Sequence, residues 1–389
     1  MIFKHGLQLA YCTNVHRGEN WADTFAALEQ HTLRVKERVQ PTGQYAVGLR
    51  LSDQAARELS DPQTLLHFQR WLDKHDCYVF TINGFPFGQF HGTRVKENVY
   101  RPDWTEPRRL DYTKRLFDLL AQLVPAGIEG SVSTSPGSFK EFINSPEQER
   151  TMRDNFWHCI EYIAALGEKA NRQLHLGVEP EPLGWFENAA ETLQFFEQMH
   201  HEHPNDEKLE SHLGVNYDAC HFAIEFEDPA QTVALFQQNG IRLSKIHLSN
   251  ALRLRPTKTA LRQLAAFAED VYLHQVIARH SDGSLTRFRD LGDALNRPLS
   301  PTLESDSEWR VHFHVPLHWQ PEGELNTTAD QVSGLLEVLK SQPQLCSHLE
   351  METYTWSVLP EPWRSRDVVE QLVGEYDWTL RQLEIHGLR

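Results

Sequence analysis

The sequence predicts an α/β fold, a (β/α)8 TIM barrel with a long hairpin-containing insertion between its seventh and eighth strands. Short apolar runs rich in β-branched and aromatic residues alternate with helical patterns along the whole chain. Their number is about eight, the count that closes a parallel barrel. Helix-start signals fall in the gaps between them. An open doubly wound sheet is the alternative. No run is followed by G-x-G-x-x-G or a phosphate-cradling glycine loop, so dinucleotide binding has no support.

In chain order the expected strands are LQLAYCTNV from Leu7, YAVGLRL from Tyr45, CYVFTING from Cys77 and IEGSVSTS from Ile128. LHLGVEPEP from Leu174, LGVNYDACH from Leu213, IRLSKIHLSN from Ile241 and HLEMETYTW from His348 complete the set. The first intervening helix carries Trp21, Phe25, Leu28, Thr32, Val35 and Val39 on one face. Asp61-Pro62, Ser145-Pro146 and Asp228-Pro229 each set a capping residue before a proline at the first helical position. Gln148, three residues after Ser145, suggests a capping box, and Gly240 closes the third of these helices.

After His247 the next matching strand begins only at His348. Within the gap VYLHQVIARH and SLTRFRDL flank Ser281-Asp282-Gly283, a hairpin signal. A proline-bearing stretch (Pro298, Pro301) follows, then RVHFHVPLHW from Arg310 and a helix near Ala329–Lys340. We expect one barrel domain over 1–389, with 251–325 inserted as a lid over its mouth, since long excursions are usually functional.

Composition agrees with one large soluble domain. A barrel with insertions accommodates 389 residues, and 40% apolar with 24% charged content is ordinary for a globular chain. A net charge of −16 argues against a nucleic-acid partner. Five scattered cysteines without a C-x-x-C pair read as reduced thiols in a cytoplasmic protein. The N-terminus lacks the apolar core of a signal peptide, and no apolar run is long enough to span a membrane. The expected partner is a small-molecule substrate; homo-oligomer formation stays open.

Residues at the C-terminal ends of barrel strands face the active site. The fifth strand ends in Glu179 and Glu181, the sixth in Asp218 and His221, the seventh in His247, the last in Glu350 and Glu352. Each pair of acids is two residues apart, so both members can face inward. Carboxylates meeting in one cavity repel each other, and a divalent cation resolves the repulsion. Carboxylate and imidazole donors suit Mn, Zn, Co or Mg.

These motifs resemble the xylose-isomerase-like TIM-barrel superfamily of sugar isomerases, sugar epimerases and apurinic-site endonucleases. EPLGWFEN is similar to the epimerase pattern of a metal-ligand Glu six residues before a substrate-binding Glu, implying Glu181 and Glu187. NYDACH resembles the D-x-x-H of the family, implying Asp218 as ligand and His221 as substrate contact. IHLSNALR resembles its His ligand followed six residues on by Arg, implying His247 and Arg253, and MET implies Glu352 as the last ligand. More narrowly, YCTNVH, VEPEP, YDACH, HFHVP and LEMETYTW resemble the metabolite-traffic barrel proteins of the ebo gene cluster. That resemblance implies a role in making or moving a secondary metabolite.

With a hydroxy-ketone substrate, the implied chemistry is proton abstraction beside a polarised carbonyl. Glu181 and Glu352 move the proton, while His221 and Arg253 stabilise the enediolate charge. Other features are less specific. His312 and His314 share one face of HFHVPLH, with His318 beyond, and suit a second metal, a substrate contact or a histidine-rich lid strand. Tyr11, Asn14, His16, Asn83 and Phe85 end strands and would line the pocket of any barrel. Two further readings compete: a metal-dependent phosphodiesterase, which the acidic charge opposes, and a non-catalytic metabolite carrier.

Overall fold

Thirteen strands are formed in the computed structural model, which describes residues 1–89, 91, 94–297, 307–320 and 323–389. They are β1 (Gln8–Tyr11), β2 (Tyr45–Arg50), β3 (Cys77–Asn83), β4 (Gly130–Thr134), β5 (Leu174–Val178), β6 (Leu213–Asp218) and β7 (Arg242–Leu248). There follow β8 (Asn250–Leu254), β9 (Val276–Arg279), β10 (Leu285–Phe288), β11 (Glu308–Val315), β12 (Leu325–Thr327) and β13 (His348–Met351). Strands β1 to β7 and β13 form one parallel sheet in the order β1-β13-β7-β6-β5-β4-β3-β2. A parallel bridge between Cys12 and Gly48 joins its two ends, so the sheet closes into the eight-stranded barrel that the sequence predicts.

The helices start where their caps are encoded. Asp61, Ser145 and Asp228 accept backbone N–H bonds from the first turns of helices Pro62–Lys74, Pro146–Ala170 and Pro229–Gln238. The capping box is modified: the Gln148 side chain accepts from Asn144 N (2.6 Å), one residue before the cap. Gly240, at φ +68°, turns the chain into β7. The first helix is not regular. A π-helical turn, Leu28–Thr32, separates Trp21–Ala27 from Leu33–Val39. Leu28, Thr32 and Val35 are buried, and the Thr32 hydroxyl lies 2.6 Å from that of Tyr11 on β1.

Inside the barrel the side chains form layers. At the floor, His348 packs edge-on against Phe80 and its Nδ1 lies 2.9 Å from Ser131 Oγ. The next layer is an ion pair: Lys245 Nζ donates to Glu350 (2.7 Å), Asn83 Oδ1 (2.7 Å) and Ser133 Oγ (3.1 Å). Both charged side chains are wholly buried. Gly48 makes room for them; a Cβ there would sit 1.9 Å from Glu350 Oε1 and 2.6 Å from Tyr11 O. Hydrogen bonds satisfy the pair, as burial of charge demands.

A single residue, Ser249, separates β7 from β8. The chain therefore runs straight from the barrel into a five-stranded antiparallel sheet of order β10-β9-β11-β8-β12. The β9–β10 hairpin turns at Gly283, whose φ of +84° suits glycine. This sheet has a core of its own that includes Leu252, Leu264, Val276, Trp309 and Phe313. It docks on the barrel mouth through the helix Ala219–Ile224, where Cys220 and Ile224 pack against Ala251 and Ile277. Arg310 adds a hydrogen bond to Ala223 O (2.6 Å). Pro298 and Pro301 lie outside the described residues. All five cysteines are free and buried. Among the described residues no helix is long and apolar enough to cross a membrane.

The Gly48 contact gives a first prediction. Gly48→Ala drives a methyl into the Glu350–Lys245 pair and should destabilise the fold by roughly 1–3 kcal/mol in urea denaturation, as overpacking does. Unchanged stability would mean the barrel interior is looser than described.

Candidate metal centre

Above the Lys245–Glu350 pair the barrel narrows to a group of four buried side chains. Glu179, Asp218, His247 and Glu352 present ligand atoms that all lie within 4.8 Å of one another. Each comes from the end of a different strand. Glu179 N still bonds Thr134 O (2.9 Å), so β5 continues to that residue and its inward alternation runs His175, Gly177, Glu179. Glu352 N bonds Leu248 O (3.1 Å) and extends β13 in the same way. Asp218 ends β6 and caps the helix Ala219–Ile224 through His221 N (3.0 Å).

His247 is the hub. Its Nδ1 lies 3.0 Å from Glu179 Oε1, 3.1 Å from Glu352 Oε2 and 3.5 Å from Asp218 Oδ2. Its Nε2 faces Glu350 Oε2 at 3.0 Å. Glu350 thus holds the hydrogen on Nε2 and turns the Nδ1 lone pair toward the three carboxylates, the supporting bond that metal-binding histidines commonly have. Asp218 Oδ1 is occupied by Ser249 Oγ (2.7 Å), whereas Oδ2 is buried with no hydrogen-bond partner. Asn14 Nδ2 donates to Glu352 Oε1 (2.7 Å). An orphaned acceptor among clustered carboxylates fits a cation.

The electrostatics run the same way. Burial alone would lower the His247 pKa, but Glu352, Glu179 and Asp218 raise it well above the ordinary imidazole range. Burial would raise Asp218, yet His221, His314 and His247 hold it well below the usual carboxylate value. Glu179 is lowered against its burial by His247 and His221. A site that binds a proton this firmly on Nδ1 offers the same field to a divalent cation. Glu350 is pulled down to about 2, against burial, chiefly by Lys245 and then His247.

The other sequence candidates fall elsewhere. Glu181 lies beyond Pro180, which has no N–H to continue the ladder, and it groups with His221 and His312 instead of with His247. Burial and the adjacent Glu179 push its pKa well above the usual carboxylate range. His221 Nδ1 is 2.9 Å from Pro180 O, and its ring meets His312 and His314 edge-on. Glu187 is held by Lys140 (2.6 Å) and by Leu183 N (2.8 Å), outside the quartet. Arg253 sits on β8 with its guanidinium on Asp330 (3.2 Å), directed to the helix Ala329–Ser341 rather than to the quartet. Lys245 was not among the sequence candidates. Its signal is its spacing, two residues before His247 on the same face of β7.

No protein-family model matches the chain, and no curated protein matches it. Solved structures do. A xylose isomerase-like TIM barrel protein from Mycobacterium smegmatis in complex with magnesium superposes with TM-score 0.53 at 14% identity, covering 99% of both chains. The IolI protein with a binding zinc atom gives 0.52 at 11%, over 98% of this chain and 99% of that one. An L-ribulose 3-epimerase gives 0.51 at 10%, over 98% and 95%. What the chain shares with these structures is the eight-stranded parallel TIM barrel. At these identities the likeness extends to the fold alone.

A buried acid near the site gives a pH prediction. Glu375, on the C-terminal helix Val368–Ile385, accepts from Leu317 N (3.1 Å) and Thr353 Oγ1 (2.6 Å), tying two mouth segments together. Burial pushes its carboxyl up to about 7. A raised folded-state pKa gives stability that is full below the unfolded value of about 4.5 and is lost as pH rises through about 7. Glu375→Gln should therefore be more stable than wild type at pH ~8, by roughly 2–3 kcal/mol in urea denaturation, with little gain at pH ~4.5. An equal difference at both pH values would contradict this.

Proposed function

We propose that this chain is a metal-dependent isomerase or epimerase acting on a small sugar-like or polyhydroxylated carbonyl metabolite. One observation carries the reading: three buried carboxylates converge on one face of His247, whose other face is already held by Glu350. Glu179, Asp218, His247 and Glu352 would hold the cation, and their donors suit Mn, Zn, Co or Mg. Bound there, it would polarise a carbonyl and acidify the neighbouring C–H.

The remaining work belongs to the protein's own groups. Glu179 and Glu352 come from β5 and β13, separated in the sheet by β6 and β7, so their carboxylates approach from different sides. One removes a proton from carbon; the other returns it. Return to the opposite face gives epimerisation, and return to the adjacent carbon gives isomerisation. Glu181, whose carboxyl is pushed above the usual range by burial and by Glu179, stands with His221 where a substrate oxygen that develops charge can be hydrogen-bonded. In this reading Glu187 and Arg253 hold structure. The magnesium, the zinc and the ribulose epimerisation named for the solved structures are of the same chemical class. In this reading the metabolite belongs to secondary-metabolite synthesis or traffic, the role that the resemblance of VEPEP, YDACH and LEMETYTW to ebo-cluster proteins implies.

A second reading, metal-assisted phosphodiester hydrolysis, is favoured by one feature. Beside the quartet, Glu181, His221 and His312 form one group of ligand atoms and Asp218, His221 and His314 another, and Nε2 of both His312 and His314 is buried without a partner, so donors for a further cation are present. The −16 net charge opposes a nucleic-acid substrate.

Protein purified without chelators should carry about one divalent cation per chain, lost in Asp218→Ala and His247→Ala and kept in Glu181→Ala. In D2O it should exchange the α-proton of 2-hydroxycyclohexanone, and the two cation-free variants should not. Intact, metal-free protein that still binds the ketone would overturn the reading, and binding without exchange would make it a carrier. About two cations with cleavage of an abasic duplex would favour the hydrolase.

A further inference from the structure

The quartet does not open directly to solvent. A mainly apolar cavity lies beside it, lined in part by Glu181 and His312, which group with His221 next to Asp218. Four segments build its walls: the turn after β3, the turn after β5, the insertion, and the residues following β13. Two backbone bonds, from Val95 N (2.9 Å) and Lys96 N (3.2 Å) to Val271 O, fasten the insertion to the turn after β3.

Its walls are mainly apolar: Val99, Leu183, Leu273 and the rings of Tyr100, Tyr272 and Tyr354. The polar groups among them are largely committed. Tyr272 OH lies 2.8 Å from His91 Nδ1, Tyr100 OH is shared by Pro182 O (3.4 Å) and Glu181, and Lys96 is paired with Asp290. Two buried polar atoms of the lining have no partner, His312 Nε2, beside Glu181 and His221, and Gln275 Oε1, from residues 5% and 1% exposed. Leu183 strengthens the point. It is held at φ +67°, a left-handed conformation that a branched side chain rarely adopts, by Leu183 N to Glu187 Oε2 (2.8 Å) and Lys140 N to Leu183 O (2.8 Å). The chain keeps an apolar side chain where glycine would be easier.

Each hydroxyl of a free sugar taken into this cavity needs a hydrogen-bond partner, and the apolar end offers few. An apolar ring or alkyl group gains there what a sugar loses. Resting on the metal reading above, we propose that the metabolite bears its vicinal oxygens at one edge of an apolar body. It is a substituted cyclic diol or hydroxy-ketone, and open-chain or free sugars are poor ligands.

Calorimetric titration of Mn2+-loaded protein under nitrogen, with catechol, 4-tert-butylcatechol and D-fructose, tests this. The tert-butyl compound should bind on the order of 10–100-fold more tightly than catechol, and fructose most weakly. In Leu273→Asn, folded by its melting curve, the tert-butyl advantage should fall at least several-fold while catechol affinity holds. Equal affinity for the two catechols, or tighter binding of fructose, overturns the inference alone. Metal analysis of the same sample separates the two claims, since protein that retains no cation overturns both.

Discussion

The structure depends on one buried arrangement: His247 held between Glu350 below and three carboxylates above. Lys245 makes it stable. Without that ammonium, Glu350 would lose its main counter-charge in the barrel interior, and removing one partner of a buried pair typically costs about 3–5 kcal/mol. With it, Glu350 stays ionised, fixes the imidazole by Nε2 and leaves Nδ1 to the rim. The ion pair supports the site from beneath, and Gly48 exists to admit it.

The inserted sheet follows from the same strand. Because β7 passes into β8 across one residue, the position of His247 also sets where the second sheet leaves the barrel. Ser249 in that junction donates to Asp218 Oδ1 and accepts from Cys220 N (2.9 Å), so the link between the two sheets is also a buttress of the quartet. The insertion returns His312 and His314 to the mouth and lines the cavity with Tyr272 and Leu273. Packing, electrostatics and access are therefore coupled at one strand end.

The barrel was legible because period-2 runs and proline-capped helices recur at a regular spacing, and every expected strand is present. The second sheet was legible only as a gap holding a hairpin, because its pairing of β8 with both β11 and β12 is long-range and leaves no local mark. In the site, Asp218, His247 and Glu352 stand together as motif and strand-end position suggest. The motif match pointed to Glu181, whereas the structure brings Glu179 to His247. Counting inward positions from His175, and noting that Pro180 ends the ladder, would have preferred Glu179. Arg253 resembled a motif residue, but the continuation of β7 into β8 carries it away to Asp330. Lys245 was hidden because a buried lysine looks like a surface residue until its partner on another strand is known.

The central claim is that Glu179, Asp218, Glu352 and His247 Nδ1 form a cation site whose imidazole is set by Glu350. Anomalous diffraction from crystals soaked in Mn2+ or Zn2+ tests it most directly. The account predicts a peak bonded to those four residues, at roughly 2.0–2.3 Å from His247 Nδ1, with Nε2 still on Glu350. A mouth without a peak at saturating metal, or a peak bonded to Glu181 and not to His247, would contradict it.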